Sequence, residues 1–300
     1  MIKRKLEIFI TFLKLSIKNT KNTKFYLKNY KKILDIYEDE VSKKYVKEYI
    51  RNTILYPLIY PLYYCSRILC INNELNEIKK LKKLVKFTGN NKFTIENLKF
   101  NFPKTKFSIV TPEVFLYHYG LKNFEKDILN KIRNGNIIDC GAFIGDSSII
   151  LSRYTDHKVF AFEPDESIFN YLVENIKNNN LDNKVTSINY GTGDREEILN
   201  FGDVELKITT IDNIVEKEKI NGVSLIKMDI EGYELKALRG GAKTIKKYKP
   251  VLIISAYHKR EDLLEIPYYI KDLVPEYRFR FLNLRKSDPR GERVIMAYIK

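Results

Sequence analysis

The C-terminal two thirds of the chain predict an α/β fold, a doubly wound and mostly parallel sheet, on three observations. From Asn136 onward short apolar runs alternate with segments of helical periodicity, the pattern of βαβ units. The first run enters a glycine-bearing turn, Asp139-Cys140-Gly141-Ala142-Phe143-Ile144-Gly145. The second ends in a carboxylate, Glu163, 24 positions after Asp139, where doubly wound nucleoside binders place the acid that holds a ribose.

The elements follow in order. Leu6, Ile10, Phe12, Leu13 and Ile17 fall on a 3.6-residue stripe that Ile33, Ile36, Val41, Tyr45 and Val46 continue, so helices are expected to about residue 88. The apolar stretch Thr53–Cys65 contains Pro57 and Pro61 and is too short to cross a membrane, which takes about 20 residues. Glu7 and Lys14 interrupt the first apolar run and no small-residue cleavage site follows, so a secretory signal is not expected. After Gly89-Asn90, the runs Phe93–Phe102 and Phe107–Val110, split by Pro103, predict a hairpin leading into the main domain. Parallel strands are predicted at Asn136–Cys140, Lys158–Glu163, Val185–Tyr190, Ser224–Asp229 and Val251–Ala256, with helices such as Ile168–Asn178 and Tyr233–Lys247 between them. Two further β-like runs, Tyr277–Leu284 and Val294–Ile299, are joined by the turn-rich segment 287–291 and predict an antiparallel hairpin at the sheet edge. Two domains are expected: a basic helical N-terminal module over residues 1–90 and the α/β domain over 91–300.

Composition narrows the function classes. Three hundred residues, 44% of them hydrophobic, suffice for a large domain with a sizeable core. Cys65, Cys70 and Cys140 show neither CxxC nor Cys/His spacing, which argues against a disulfide framework and a structural zinc and points to a reduced, cytoplasmic setting. The net charge of +15 is concentrated: residues 1–100 carry +13 of it, while residues 101–300 carry only +2. The basic third is suited to an anionic surface, either nucleic acid or the inner face of a membrane as a peripheral contact, and equally to a solvated helical face.

The chemistry-bearing residues lie at predicted strand ends. The first loop reads DxGxxxG and not the GxGxxG that cradles a dinucleotide pyrophosphate, and an acid at the strand end suits a ligand bearing an ammonium group, such as S-adenosyl-L-methionine. Asp139, Gly141 and Gly145 are its candidates, although a glycine turn also serves tight strand-to-helix packing. Glu163 is read as accepting both ribose hydroxyls, while Asp165 and Glu166 fit the first turn of the following helix. Asp194, in Gly191-Thr192-Gly193-Asp194, is read either as an adenine contact or as part of a plain turn.

The fourth strand runs into Lys227-Met228-Asp229-Ile230-Glu231-Gly232-Tyr233-Glu234. Asp229 or Glu231 is a candidate to take a proton from an acceptor hydroxyl; alternatively Glu231 and Glu234 cap the next helix and Lys227 is an ion-pair partner. The run Thr111–Tyr119, rich in aromatics, is read as a substrate wall or as packing against the sheet.

Taken together, DCGAFIG, FEP, TTIDNI (Thr209–Ile214) and IKMDIEGYELKALRGG resemble the FkbM-type methyltransferases over about residues 95–300. The resemblance implies a Rossmann-like class I methyltransferase fold and an S-adenosyl-L-methionine-dependent enzyme that O-methylates a sugar, glycan precursor or related metabolite. It implies that Asp139, Gly141 and Gly145 hold the methionine part of the cofactor, that Glu163 holds its ribose, and that Asp229 and Glu231 line the reaction centre. This chain departs from the family in two places. Phe143 stands where Asn is common, and the fifth strand ends Ser255-Ala256-Tyr257-His258 without a carboxylate, which moves the general-base candidacy toward His258. A cation bridging Asp229, Glu231 and His258 has no close-spaced ligand motif behind it, so no metal is expected. Methylation of nucleic acid is the alternative within the enzyme class; the charge outside the α/β part and the DIEG strand end, in place of Asn/Asp-Pro-Pro-Tyr, speak against it. A non-catalytic scaffold whose N-terminus binds a membrane or a partner is the alternative outside it.

Overall fold

A computed structural model describes residues 21–65, 79–81, 83–89, 91–103, 110–202, 204–284 and 292–300. The stripe Leu6–Ile17, Cys70, Phe107 and the turn 287–291 lie outside these residues. Helix α1 covers residues 21–35 and helix α2 is Glu40–Cys65, started by Asp39, whose Oδ1 accepts a hydrogen bond from the Ser42 amide at 2.7 Å. The helical reading to residue 88 does not hold at its end. Val85–Gly89 is a strand, β1, which with β2 (Lys92–Ile95) and β3 (Leu98–Asn101) makes an antiparallel meander. Glu96, at a φ of 54°, turns the expected single run 93–102 into two strands, whose Phe93 and Phe100 rings stack 4.9 Å apart.

The main sheet has seven strands: β4 (Asn136–Cys140), β5 (Val159–Phe162), β6 (Val185–Ile188), β10 (Val223–Met228), β11 (Val251–Ser255), β12 (Arg278–Asn283) and β13 (Arg293–Tyr298). Their order is β12-β13-β11-β10-β4-β5-β6, with β4, β5, β6, β10 and β11 parallel and β13 antiparallel to both its neighbours. The expected parallel sheet with an antiparallel hairpin at one edge is what forms. Three short strands between β6 and β10, namely β7 (Gly191–Thr192), β8 (Glu197–Phe201) and β9 (Val204–Thr209), build a separate small sheet, of which the sequence reading had only the turn at Gly191–Asp194.

Alternate residues of the parallel strands feed two cores, the reason these strands are apolar throughout. Ile138, Phe160, Ile226, Leu252 and Ile254 join one core, and Ile137, Val159, Ala161, Leu225 and Ile253 the other. The first core also takes Tyr26, Ile33, Tyr37, Val46, Tyr49 and Ile50 from the two N-terminal helices and the turn between them. These helices lie against β12: the Ser42 hydroxyl accepts from the Phe281 amide at 2.9 Å, and Tyr37 and Tyr49 meet the Phe281 ring at 5.8 and 6.0 Å. The second core holds Val114, Phe115 and Tyr119, so the aromatic run before β4 packs on the sheet, the second of its two readings.

Candidate active site

Strand order reverses between β4 and β10: the chain runs from β4 outward through β5 and β6, then returns to place β10 on the other side of β4. In such sheets the crevice beyond the carboxyl ends of the strands at this point receives the ligand. The loop after β4 enters it along a tightly packed path. A Cβ on Gly141, at a φ of 80°, would lie 2.0 Å from the Asp229 carbonyl, so only glycine lets the ends of β4 and β10 approach. Gly145, at a φ of 87°, immediately precedes helix α3 (Asp146–Leu151) and rests on Leu172.

Asp139 is turned inward. It is fully buried, its Oδ2 accepts from the hydroxyls of Ser147 and Ser148 at 2.6 Å each, and its Oδ1 is paired with Lys227 Nζ at 3.1 Å. Lys227 also donates to the Gly141 carbonyl at 2.8 Å and lies over the Tyr119 ring. Burial pulls the Lys227 amine down, but Asp139 and the carboxylates of Asp229 and Asp146 more than offset this and leave it above its ordinary value. Asp139 thus anchors the loop after β4, its carboxylate taken up by two serines and a lysine. The ion pair was legible only as a bare possibility for Lys227, and the two serines were missed; hydroxyls in the first turn after a glycine loop were the available signal.

Glu163 stands at the end of β5, 8% exposed. Its Oε2 accepts from the Phe143 amide at 3.1 Å and its Oε1 from the Asp165 amide at 3.0 Å, which ties the first loop to the second. Burial raises its carboxyl to about 7, against the lowering effect of those amides. Asp165 caps helix α4 (Glu166–Asn178) by accepting from the Ser167 and Ile168 amides at 2.8 and 3.2 Å, as its alternative reading had it. Asp194 follows β7; its buried Oδ1 has no hydrogen-bond partner. The loop that carries it is pressed by Gly240, where a Cβ would lie 1.9 Å from the Gly193 carbonyl. Asp212 of the TTIDNI segment is structural: it accepts from the amides of Lys243 and Thr244 at 3.0 and 2.8 Å.

Beyond β10 the acidic segment meets the end of β11. Glu234, fully buried, accepts from the Ile230 amide at 3.0 Å and contacts His258 Nδ1 at 2.9 Å through the same oxygen, Oε1. His258 Nε2 lies 3.5 Å from Glu231 Oε2 and 3.8 Å from Asp229 Oδ1. The structure thus brings Asp229, Glu231 and His258 together. Burial lowers the His258 imidazole, but the Glu234 hydrogen bond and the surrounding carboxylates outweigh it and carry it to about 8. Tyr257, missed in the sequence, donates from its hydroxyl to Asp229 Oδ1 at 3.2 Å; burial raises its phenol, so it stays a donor. Cys140, behind the loop, is a buried thiol pushed up to about 12 and no nucleophile.

Comparison with known proteins agrees with this geometry. Residues 139–281 match the family model of the methyltransferase FkbM domain. The hexuronic acid methyltransferase AglP of Haloferax volcanii is 27% identical over 131 residues, 38% of this chain and 53% of that protein. The crystal structure of a methyltransferase FkbM from Methylobacillus flagellatus KT aligns with a TM-score of 0.61 at 21% identity, over 91% of this chain and 59% of that one, a likeness of fold. The chain spans a little over half the length of both proteins. Residues 139–281 accordingly match a methyltransferase FkbM domain, and the chain shares the fold of a methyltransferase FkbM structure.

Proposed function

We propose that the protein is an S-adenosyl-L-methionine-dependent O-methyltransferase acting on a hydroxyl of a sugar or glycan precursor. The observation that carries this reading is Glu163: a buried carboxylate at the second strand end, held by two backbone amides, with lone pairs left for the two hydroxyls of a ribose. Asp194 Oδ1, buried and without a partner, suits an amino donor such as that of adenine. The 141–145 backbone, fixed by the Asp139–Lys227 pair, lines the methionine side. Bound there, the cofactor would supply an electrophilic sulfonium methyl group for displacement by an acceptor oxygen, its sulfur leaving as the neutral thioether. Asp229, Glu231 and His258 form the acceptor side, and Glu231, its side chain 93% exposed, receives the hydroxyl proton and passes it to water. The hexuronic acid methyltransferase among the relatives supports a saccharide acceptor.

Helix α1 supports a peripheral membrane contact. Lys21, Lys24, Lys28, Lys31 and Lys32 are all exposed, Leu27 is 68% exposed beside them, and residues 21–34 contain no acidic residue. No helix among the described residues is long and apolar enough to cross a membrane.

The test is calorimetric titration with S-adenosylhomocysteine, with NADH as control, followed by transfer of a labelled methyl group to a panel of glycosides that includes hexuronic acids. Binding of the homocysteine compound alone and label in a glycoside are expected. Absence of binding would remove the cofactor, and label confined to RNA would replace the acceptor class.

A further inference from the structure

Asp229, Glu234 and His258 converge although the sequence places His258 24 residues beyond Glu234 and in a different strand-end loop. Each offers one donor atom, and these atoms lie within 4.8 Å of one another. Two donors bound at about 2.1 Å to one cation stand roughly 3 to 4.2 Å apart, so closing this set takes shifts below about 1 Å.

Glu234 is fully buried, yet its Oε2 has no hydrogen-bond partner. An unpartnered polar atom in a buried side chain is costly unless a ligand serves it. His258 Nδ1 and Glu234 Oε1, 2.9 Å apart, already have the spacing of two donors on one cation. Asp229 is in turn oriented by the Tyr257 hydroxyl.

We propose that Asp229, Glu234 and His258 hold a divalent cation. One nitrogen and carboxylate oxygens suit Mn²⁺ or Zn²⁺ better than Ca²⁺, which prefers six to eight oxygens. The role of the ion rests on the methyltransferase reading: beside the acceptor it would lower the pKa of the hydroxyl, and Glu231 would remain the group that carries the proton to water. The binding itself does not rest on that reading.

The experiment is titration of the full chain, stripped with a chelator, with Mn²⁺, followed by calorimetry and by loss of the free-ion paramagnetic resonance signal. One ion per chain is expected. His258→Ala and Asp229→Asn should each weaken binding by about tenfold or more, and Glu234→Gln by about 10- to 100-fold. Glu231→Gln should leave it within about threefold. Thermal melting identifies any variant that fails to fold, and Asp229→Asn, the least buried of the three ligand changes, keeps the test open if Glu234→Gln does. Absence of binding up to about 1 mM, or equal affinity in His258→Ala and Asp229→Asn, would overturn the site. S-Adenosylhomocysteine titrated into the same samples separates the two readings: its binding without Mn²⁺ uptake removes the cation and leaves the cofactor, while failure of both removes both.

Discussion

Glutamine in place of Glu163 should remove most of the cofactor affinity and all of its dependence on pH between 6 and 8. The carboxyl is held at about 7 by burial, so the ionised form that accepts two hydroxyls is about 90% populated at pH 8 and about 10% at pH 6. Affinity for S-adenosylhomocysteine should therefore fall about tenfold across that range. Hydrogen bonds to a charged acceptor contribute about 1.5–3 kcal/mol, so Glu163→Gln should weaken binding at pH 8 by about 10- to 150-fold and flatten the profile. The free protein should move the opposite way. The folded-state pKa lies above the ordinary value of 4.5, so the stability associated with Glu163 is complete below pH 4.5 and declines, by up to roughly 3 kcal/mol, as the pH rises through 7. A ligand that binds the ionised form restores it. Calorimetry at three pH values, in wild type and variant, measures the effect. A flat wild-type profile, or a variant that keeps the slope, would refute the assignment of Glu163 to the ribose.

Other outcomes follow from the same contacts. Lys227→Met leaves Asp139 buried without its cation and should cost about 3–5 kcal/mol in urea unfolding; a loss below about 1 kcal/mol would mean that the serines alone satisfy it. Gly141→Ala drives a Cβ into the Asp229 carbonyl and should abolish S-adenosylhomocysteine binding, read by calorimetry on protein shown by circular dichroism to be folded. Phe281→Ala, beneath Tyr37 and Tyr49, should cost about 3–5 kcal/mol, and the N-terminal helices should melt with the sheet in one transition; two separate transitions would speak for an independent module. Anionic vesicles should sediment the protein at low salt and release it at high salt, and replacement of Lys24, Lys28 and Lys31 by glutamine should abolish the effect; retained sedimentation would place the contact elsewhere.

The five parallel strands were legible because burial on both faces makes each a continuous apolar run, and their carboxyl ends placed Glu163 and Asp229 on the correct edge. Strand β8 was not legible: Glu197, Ile198 and Asn200 give no apolar run, and the strand exists through its pairing with β9. Asp139 could be located but not interpreted, since its partner Lys227 lies on a neighbouring strand 88 residues away and no local pattern reports such a pair. Glu234 illustrates the same limit. Its position in the first turn of a helix suggested a cap; its contact with His258 depends on β10 and β11 lying side by side. Phe143, which departs from the family pattern, contributes its amide to Glu163, a contact that does not depend on the side chain.

The place of β13 bears on how the molecule is made. This strand is synthesised after β11 and β12 yet lies between them, so β12 has no neighbour in the sheet until β13 has left the ribosome. Helices α1 and α2, synthesised before every strand of this sheet, pack on β12: the Ser42–Phe281 bond spans 239 residues. The apolar side chains they set against β12 stay uncovered until that strand is made. Chaperone demand during synthesis should accordingly rest on the N-terminal helices, and their protection from proteolysis should appear only when the closing hairpin inserts.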